Sequence, residues 1–332
     1  MTALVDLSAA LAGVRAGVVA IERPDLAMLE LNGADVLRYL HSVTTQHTAD
    51  LRPGNATRAL LLSPKGKIEF AFRLAVLDRR ALLLDTEAEA AEALAERLAR
   101  FVFRYDVRVG APRPGAVSLL GTGADEALAA AGLPVPPAGP GEAAVAVGGL
   151  VAHRGELGVD LVGERAPGAL RAVEGNGVAR APLEVWELLR VERGLPRWGR
   201  ELTDDVIAEE AGLLGSCVHL DKGCYPGQET VARVHNLGQV QRRLAGLRFE
   251  DPECEPPPAR TDLVTEEGRR AGQVRSAIRH PDLGTIALAY VRRTVAPGER
   301  VLAGPLASEV VELPFVATVR ASEEPAPVSR DG

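Results

Sequence analysis

The chain is poor in three residue types. Only three of its 38 basic residues are lysines, Lys65, Lys67 and Lys222, and all the others are arginine. Aromatic residues make up 4% of the 332 positions, and cysteine occurs three times, as Cys217, Cys224 and Cys254. So few cysteines cannot build a disulfide framework, which leads us to expect a reduced, cytoplasmic protein. No apolar run approaches the roughly 18–20 residues of a membrane span. Residues 1–21 carry Asp6 and Arg15 and have no basic first region or long apolar core, so they do not read as a secretory signal. A cationic surplus is also missing. The net charge of −7 argues against a protein that binds nucleic acid through a broad basic surface.

What is present fits a globular chain of two or three packed units, with 46% hydrophobic and 25% charged residues. Alternating apolar segments predict strands at Val18–Glu22, Ala27–Leu31, Thr57–Leu62, Ile68–Leu77 and Ala81–Leu84, and helices at Ala34–Val43 and Glu87–Arg104. A strand, turn and helix follow over Ala116–Ala131, then a loop at Pro134–Gly141 and a helix near Pro182–Arg193. Residues 251–258, rich in proline and acid, read as a linker to a β-rich region with strands at Ala271–Ala277, Thr285–Val291 and Ser308–Leu313. The expected organisation is α+β over residues 1–245, a β domain over 246–320 and a disordered tail at 321–332.

Nucleotide-binding signals are poor. Gly121-Thr122-Gly123 follows a strand and opens a helix, but Glu126 stands where a third glycine would be, and an acid there opposes a pyrophosphate. No Walker-type loop, His-Glu-x-x-His or Gly-x-Ser-x-Gly is present. Glu192 is more informative, because helical spacing sets it inside the apolar arc of Val185, Trp186, Leu188 and Leu189. A carboxylate there either frays into water beyond Gly194 or pairs with Arg193 or Arg197, or it is kept to accept two parallel hydrogen bonds from a ligand.

Asp221-Lys222-Gly223-Cys224-Tyr225-Pro226-Gly227-Gln228-Glu229 is the sharpest constellation. Its glycines and proline make a tight turn ahead of a helix expected at Gln228–Asn236, and a nearby ammonium and a helix N-terminus both favour a thiolate at Cys224. Cys217, in an apolar stretch, fits a small buried hydrophobe, and Cys254 fits an incidental linker residue. Cys217, His219 and Cys224, with Cys254 or His235, supply soft ligands but not the close Cys-x2–4-Cys pairs of a structural zinc site, so no metal is expected.

Residues 222–229 resemble the K-G-C-[FY]-x-G-Q-E signature of the YgfZ family, folate-binding relatives of the glycine-cleavage T-protein (GcvT) that support iron–sulfur enzymes. Residues 32–40, Arg190-Val191-Glu192-Arg193-Gly194-Leu195-Pro196, Glu201-Leu202 and Glu210-Ala211-Gly212-Leu213 extend the similarity. The resemblance implies a GcvT-like fold, two α+β parts and a C-terminal β-barrel-like domain around a central opening that holds tetrahydrofolate. It further implies that Glu192 holds the pterin, that Arg233 or Arg242 meets the folate carboxylates, that Gln228 contributes to the site, and that Lys222 and Cys224 form a reactive pair. The T-proteins carry an Asp pair after their glycine turn; here Phe70 and Ala71 stand in its place, and strand alternation turns the nearby Glu69 away from Phe70.

The leading expectation is therefore a cytoplasmic tetrahydrofolate-binding protein that assembles, maintains or repairs iron–sulfur enzymes as its clients, with no membrane or nucleic-acid partner. The alternatives are a glycine-cleavage-type aminomethyltransferase, which the missing Asp pair disfavours, and a non-catalytic folate-sensing scaffold.

Overall fold

A computed structural model describes residues 7–137, 144–238 and 240–316. The tail from residue 321 and part of the Pro134–Gly141 loop lie outside the described residues. The chain opens with α1 (Leu7–Ala16), β1 (Val19–Glu22), β2 (Leu26–Asn32), α2 (Val36–Val43), β3 (Ala56–Leu62), β4 (Ile68–Asp78), β5 (Ala81–Glu87) and α3 (Ala88–Ala99). Next come β6 (Arg108–Val109), β7 (Arg113–Pro114), β8 (Ala116–Leu120), α4 (Ala124–Ala130), β9 (Ala144–Val147), β10 (Leu150–Arg154), β11 (Gly158–Val162) and α5 (Ala166–Gly175). Then follow β12 (Ala179–Arg180), α6 (Leu183–Arg193), α7 (Leu214–Cys217) and α8 (Gln228–Leu237). The last strands are β13 (Arg242–Phe249), β14 (Asp262–Thr265), β15 (Arg270–His280), β16 (Gly284–Arg292), β17 (Arg300–Ala303) and β18 (Leu306–Val311).

These strands make two open sheets and a barrel. One sheet runs β3-β4-β5-β2-β6, with β7 also on β2; the other runs β12-β1-β8-β11-β10-β9. Each sheet has helices on its outer face, α2 and α3 over the first through Leu40, Leu94 and Leu98, and α4 and α5 over the second through Leu128 and Val173. Their inner faces meet through Met28, Ala75 and Leu83 against Ala116, Val151 and Val162. The alternation that gives each strand two apolar sides thus serves two different cores.

The third unit is a closed barrel, β13-β16-β15-β14-β17-β18. It begins at Arg242 rather than after residue 245, because β13 pairs with both β16 and β18 and so belongs to the barrel along its whole length. Residues 251–258 are consequently a connection inside the barrel domain. Cys254, expected to be incidental, is buried in that core beside Leu263 and Val274.

Helix α6 joins the units. Val185 and Leu189 pack with Leu11 and Val14 of α1 and Ile21 of β1, whereas Val191 meets Ile286 and Leu288 of the barrel. Helix α1 is an element that the sequence patterns do not predict. The helix expected at Glu87–Arg104 ends at Ala99, followed by a short 3-10 turn at Val102–Arg104. Gly121-Thr122-Gly123 is a plain strand-to-helix turn held by packing, since a side chain on Gly121 would lie 2.1 Å from the Gly17 carbonyl. Among the described residues no helix is long and apolar enough to cross a membrane.

Candidate functional site

Between the two sheets and the segment that follows α6 lies a central cavity of about 170 Å³ that opens to solvent. Its walls combine aromatic and charged groups, as small-molecule sites do. The chain's two tryptophans, Trp186 and Trp198, both line it, with Ala71 and Phe72 from β4 and Glu87 at the end of β5. Gly194, in the left-handed region at φ 71°, stops α6 and turns the chain so that Leu195–Trp198 form one wall.

Paired charges run through the cavity wall. Arg73 on β4 donates to Asp85 at 2.8 Å and reaches across to Asp160 on β11, which also accepts from Ser118. Burial alone would raise the Asp160 carboxyl, but the Arg73 and Arg23 guanidiniums and the Ser118 hydroxyl overcome it and hold the group at about 2. Arg23 pairs with Asp25 at 2.9 Å and lies 3.9 Å over the Trp186 ring, a cation–π contact. Glu87 differs from the others. Burial raises its carboxyl above the ordinary value even though Arg197 stands 3.6 Å away and opposes the shift. Arg197 makes its shorter contact, 2.7 Å, with Asp25.

The residues singled out from sequence lie elsewhere, and none of the six lines this cavity. Glu192 is buried, but its carboxylate faces the barrel, 3.0 Å from His280 Nε2. The His280 Nδ1 accepts from the backbone N–H groups of Asp282 and Leu283, which turns Nε2–H to Glu192 as the donor. The His280 hydrogen bond outweighs burial and lowers the Glu192 pKa, with Arg193 and Arg15 adding to the effect. Glu192 therefore does not fray: it pairs with Arg193 at 3.6 Å, not with Arg197, and through His280 it latches α6 to the barrel.

Lys222 directs its ammonium at backbone carbonyls of His41, Thr44 and Gln46, closing the C-terminal end of α2. Burial pulls its pKa down to about 8. Cys224 is an exposed free thiol four residues before α8. Gln228 accepts from the Tyr225 N–H at 3.2 Å and so braces the signature turn. Arg233 is largely exposed, 4.0 Å from Glu229 on the same helix. Arg242 is occupied by Asp205 at 3.0 Å and Glu210 at 3.2 Å and lies 4.8 Å over the Tyr290 ring. The structure brings Lys222, Cys224 and Gln228 onto one turn and scatters the other three.

Of the two residues that the resemblance sets in place of an acid pair, Phe70 stacks parallel on Trp198 with centroids 6.0 Å apart, and Ala71 lines the cavity. Glu69 is tied to Arg97 at 2.8 Å. Sequence reasoning misses Glu87 and Arg73, which it places only inside regular elements, and Asp160, which it does not single out. One signal is available: both tryptophans flank the Arg190–Pro196 segment.

Comparisons with known proteins agree with this geometry. Residues 242–317 match the glycine cleavage T-protein C-terminal barrel domain. The chain is 26% identical over 327 residues to an Arabidopsis thaliana protein named as a putative chloroplastic transferase, covering 91% of this chain and 72% of that protein. It is 25% identical over 259 residues to the tRNA-modifying protein YgfZ of Colwellia psychrerythraea, covering 76% and 79%. A 36% match over 178 residues to a Moorella thermoacetica aminomethyltransferase covers 49% of this chain and 46% of that protein, so about half of each is matched. The glycine cleavage system aminomethyltransferase T of Bartonella henselae shares the fold, with a TM-score of 0.80 at 22% identity over 93% of this chain and 89% of that one. The barrel match, the relatives and the shared fold together support a YgfZ/GcvT-like family for this chain.

Proposed function

We propose that the chain binds a reduced folate in the central cavity and supports iron–sulfur enzymes without transferring aminomethyl groups. The observation that carries the binding reading is Glu87, a half-buried carboxyl that shares the cavity wall with Trp186 and Trp198. A pterin is flat and aromatic and offers adjacent N–H donors, so ring faces and a two-oxygen acceptor suit it. The cavity's arginines Arg23, Arg58, Arg73 and Arg197 are already paired with acids. Folate carboxylates would then be met nearer the surface, where Arg233 is the most exposed of the arginines named from sequence.

Against aminomethyl transfer stand Phe70 and Ala71, which bring no acid to the cavity wall. The iron–sulfur role and the cytoplasmic location rest on the signature and on three free cysteines, of which Cys224 is exposed. A thiol there is accessible for attack, disulfide exchange or brief contact with a cluster.

Calorimetry with tetrahydrofolate tests the binding site. Glu87→Gln should weaken binding at least tenfold, the loss of one charged hydrogen bond, and Glu192→Gln less than threefold. The reverse pattern would return the pterin to Glu192 and overturn the central-cavity assignment. For the thiol, cells that carry Cys224→Ser should lose iron–sulfur enzyme activity, and unchanged activity would leave folate binding without a cysteine mechanism.

A further inference from the structure

Three of the chain's six histidines meet outside the central cavity. His41 is in the last turn of α2, His47 follows that helix by four residues, and His219 lies two residues beyond α7. Their ring centroids are 4.7 Å apart for His41 and His47 and 5.2 Å apart for His47 and His219. The contacts that gather these rings also seat the signature turn. The His219 N–H donates to the Thr45 carbonyl at 3.0 Å, and Lys222 draws together the carbonyls of His41, Thr44 and Gln46. His41 Nε2 faces the backbone of Gly223, 4.0 Å from where a Cβ would stand.

Such a cluster tolerates neutral rings and resists charged ones. His41 Nδ1 and His219 Nδ1 are both buried without a hydrogen-bond partner among the described residues, so a proton on either nitrogen would have no acceptor. The carbonyl end of a helix ordinarily favours an imidazolium, but at α2 the Lys222 ammonium already occupies it. Burial, Lys222, His47 and His219 all press the His41 imidazole below its ordinary pKa, and Asp50 opposes them. Asp50 is itself engaged, with Oδ2 3.1 Å from His47 Nε2. Tyr225, whose ring lies 4.9 Å from Lys222 Nζ, brings no negative charge, because burial raises its phenol.

We propose that His41, His47 and His219 form a proton-operated latch on the signature turn, closed while the three rings are neutral and opened when they are protonated beside Lys222. Opening frees the segment that carries the exposed thiol of Cys224. Open, the rings take up protons at the ordinary histidine pKa of about 6.5; closed, the cluster holds His41 lower. Closure is therefore complete above that pH and is lost as pH falls below it. The inference does not rest on the folate reading.

Amide hydrogen exchange of the full-length chain at about pH 7.5 and about pH 5.5, corrected for intrinsic exchange rates, tests the latch. Exchange over residues 219–228 should rise about fivefold or more at the lower pH, the effect of one imidazole protonated only in the open form, while β3 and β4 stay unchanged. The double variant His41→Gln, His219→Gln should lose most of that rise, and His235→Gln, at an exposed position of α8, should keep it. In the parent, the His41 ring resonances should titrate below the ordinary histidine value, a readout that does not depend on whether a variant folds. Exchange over 219–228 that ignores pH, a rise that persists in the double variant, or a His41 that titrates as an ordinary histidine would overturn the proposal.

Discussion

Lys222 shows at the residue scale how one side chain can satisfy a motif and still do something the motif does not announce. Beside Cys224 in sequence it reads as a thiol activator, yet in space its donors close the carbonyl end of α2. Lys222→Met would leave buried carbonyls unpaired and should lower unfolding free energy by about 2–4 kcal/mol in urea titrations. A loss below about 1 kcal/mol would mean that water replaces the ammonium. Gly227 is equally specific. At φ 83° it lets the signature turn approach the β3–β4 hairpin, where an added Cβ would lie 2.6 Å from the Ser63 carbonyl. Asp160 carries a pH signature. Its pKa in the fold lies near 2, below that of an unfolded aspartate, so the stability it contributes is full above about pH 4 and is lost as pH falls toward 2. Acid unfolding of Asp160→Asn should lack that component, about 2 kcal/mol, and an unaltered acid profile would contradict the assignment.

At the scale of elements, α6 decides most. Its apolar arc is readable from the 3.6-residue period, and so is its end at Gly194. What the helix packs against is not readable, because α1, β1 and β16 come from three distant parts of the chain. Glu192 illustrates the consequence. Its place on the buried face follows from periodicity, whereas its partner His280 is 88 residues away and no local rule connects them. Replacing His280 with Leu should destabilise the protein by about 1–3 kcal/mol, since it removes the hydrogen bond to a buried carboxylate while Arg193 and Arg15 stay near it. Thermal melts check this, and combining it with Glu192→Leu should recover part of the loss. Gly194→Ala tests the helix end. It adds strain at positive φ and a Cβ 2.8 Å from Leu313, so about 1–3 kcal/mol should be lost.

For the whole molecule, the two sheets and the chain around α6 enclose a cavity that none of them owns, and the barrel supplies none of its lining residues. One wall comes from β4 and β5, another from the β10–β11 turn, and a third from the chain beyond α6. This explains why strands and helices are legible in the sequence while the site is only half so. The signature turn is local and can be read directly; the cavity is assembled from Arg23, Arg73, Glu87, Asp160 and Trp198, residues far apart in sequence and unremarkable one at a time. The barrel shows the same division. Its later strands are recognisable by alternation, but the start of β13 reads as part of the preceding region, and only its pairing with β16 and β18 places it in the ring.

By itself the sequence determined the α+β class, the run of elements, the glycine turns and the few lysines and cysteines worth attention, because periodicity, turn chemistry and composition act over a few residues. Tertiary structure alone decided that Lys222 closes a helix, that Glu192 latches the barrel and that Glu87 faces the cavity. Burial and pairing depend on what arrives from elsewhere in the chain, and no short window of sequence contains that.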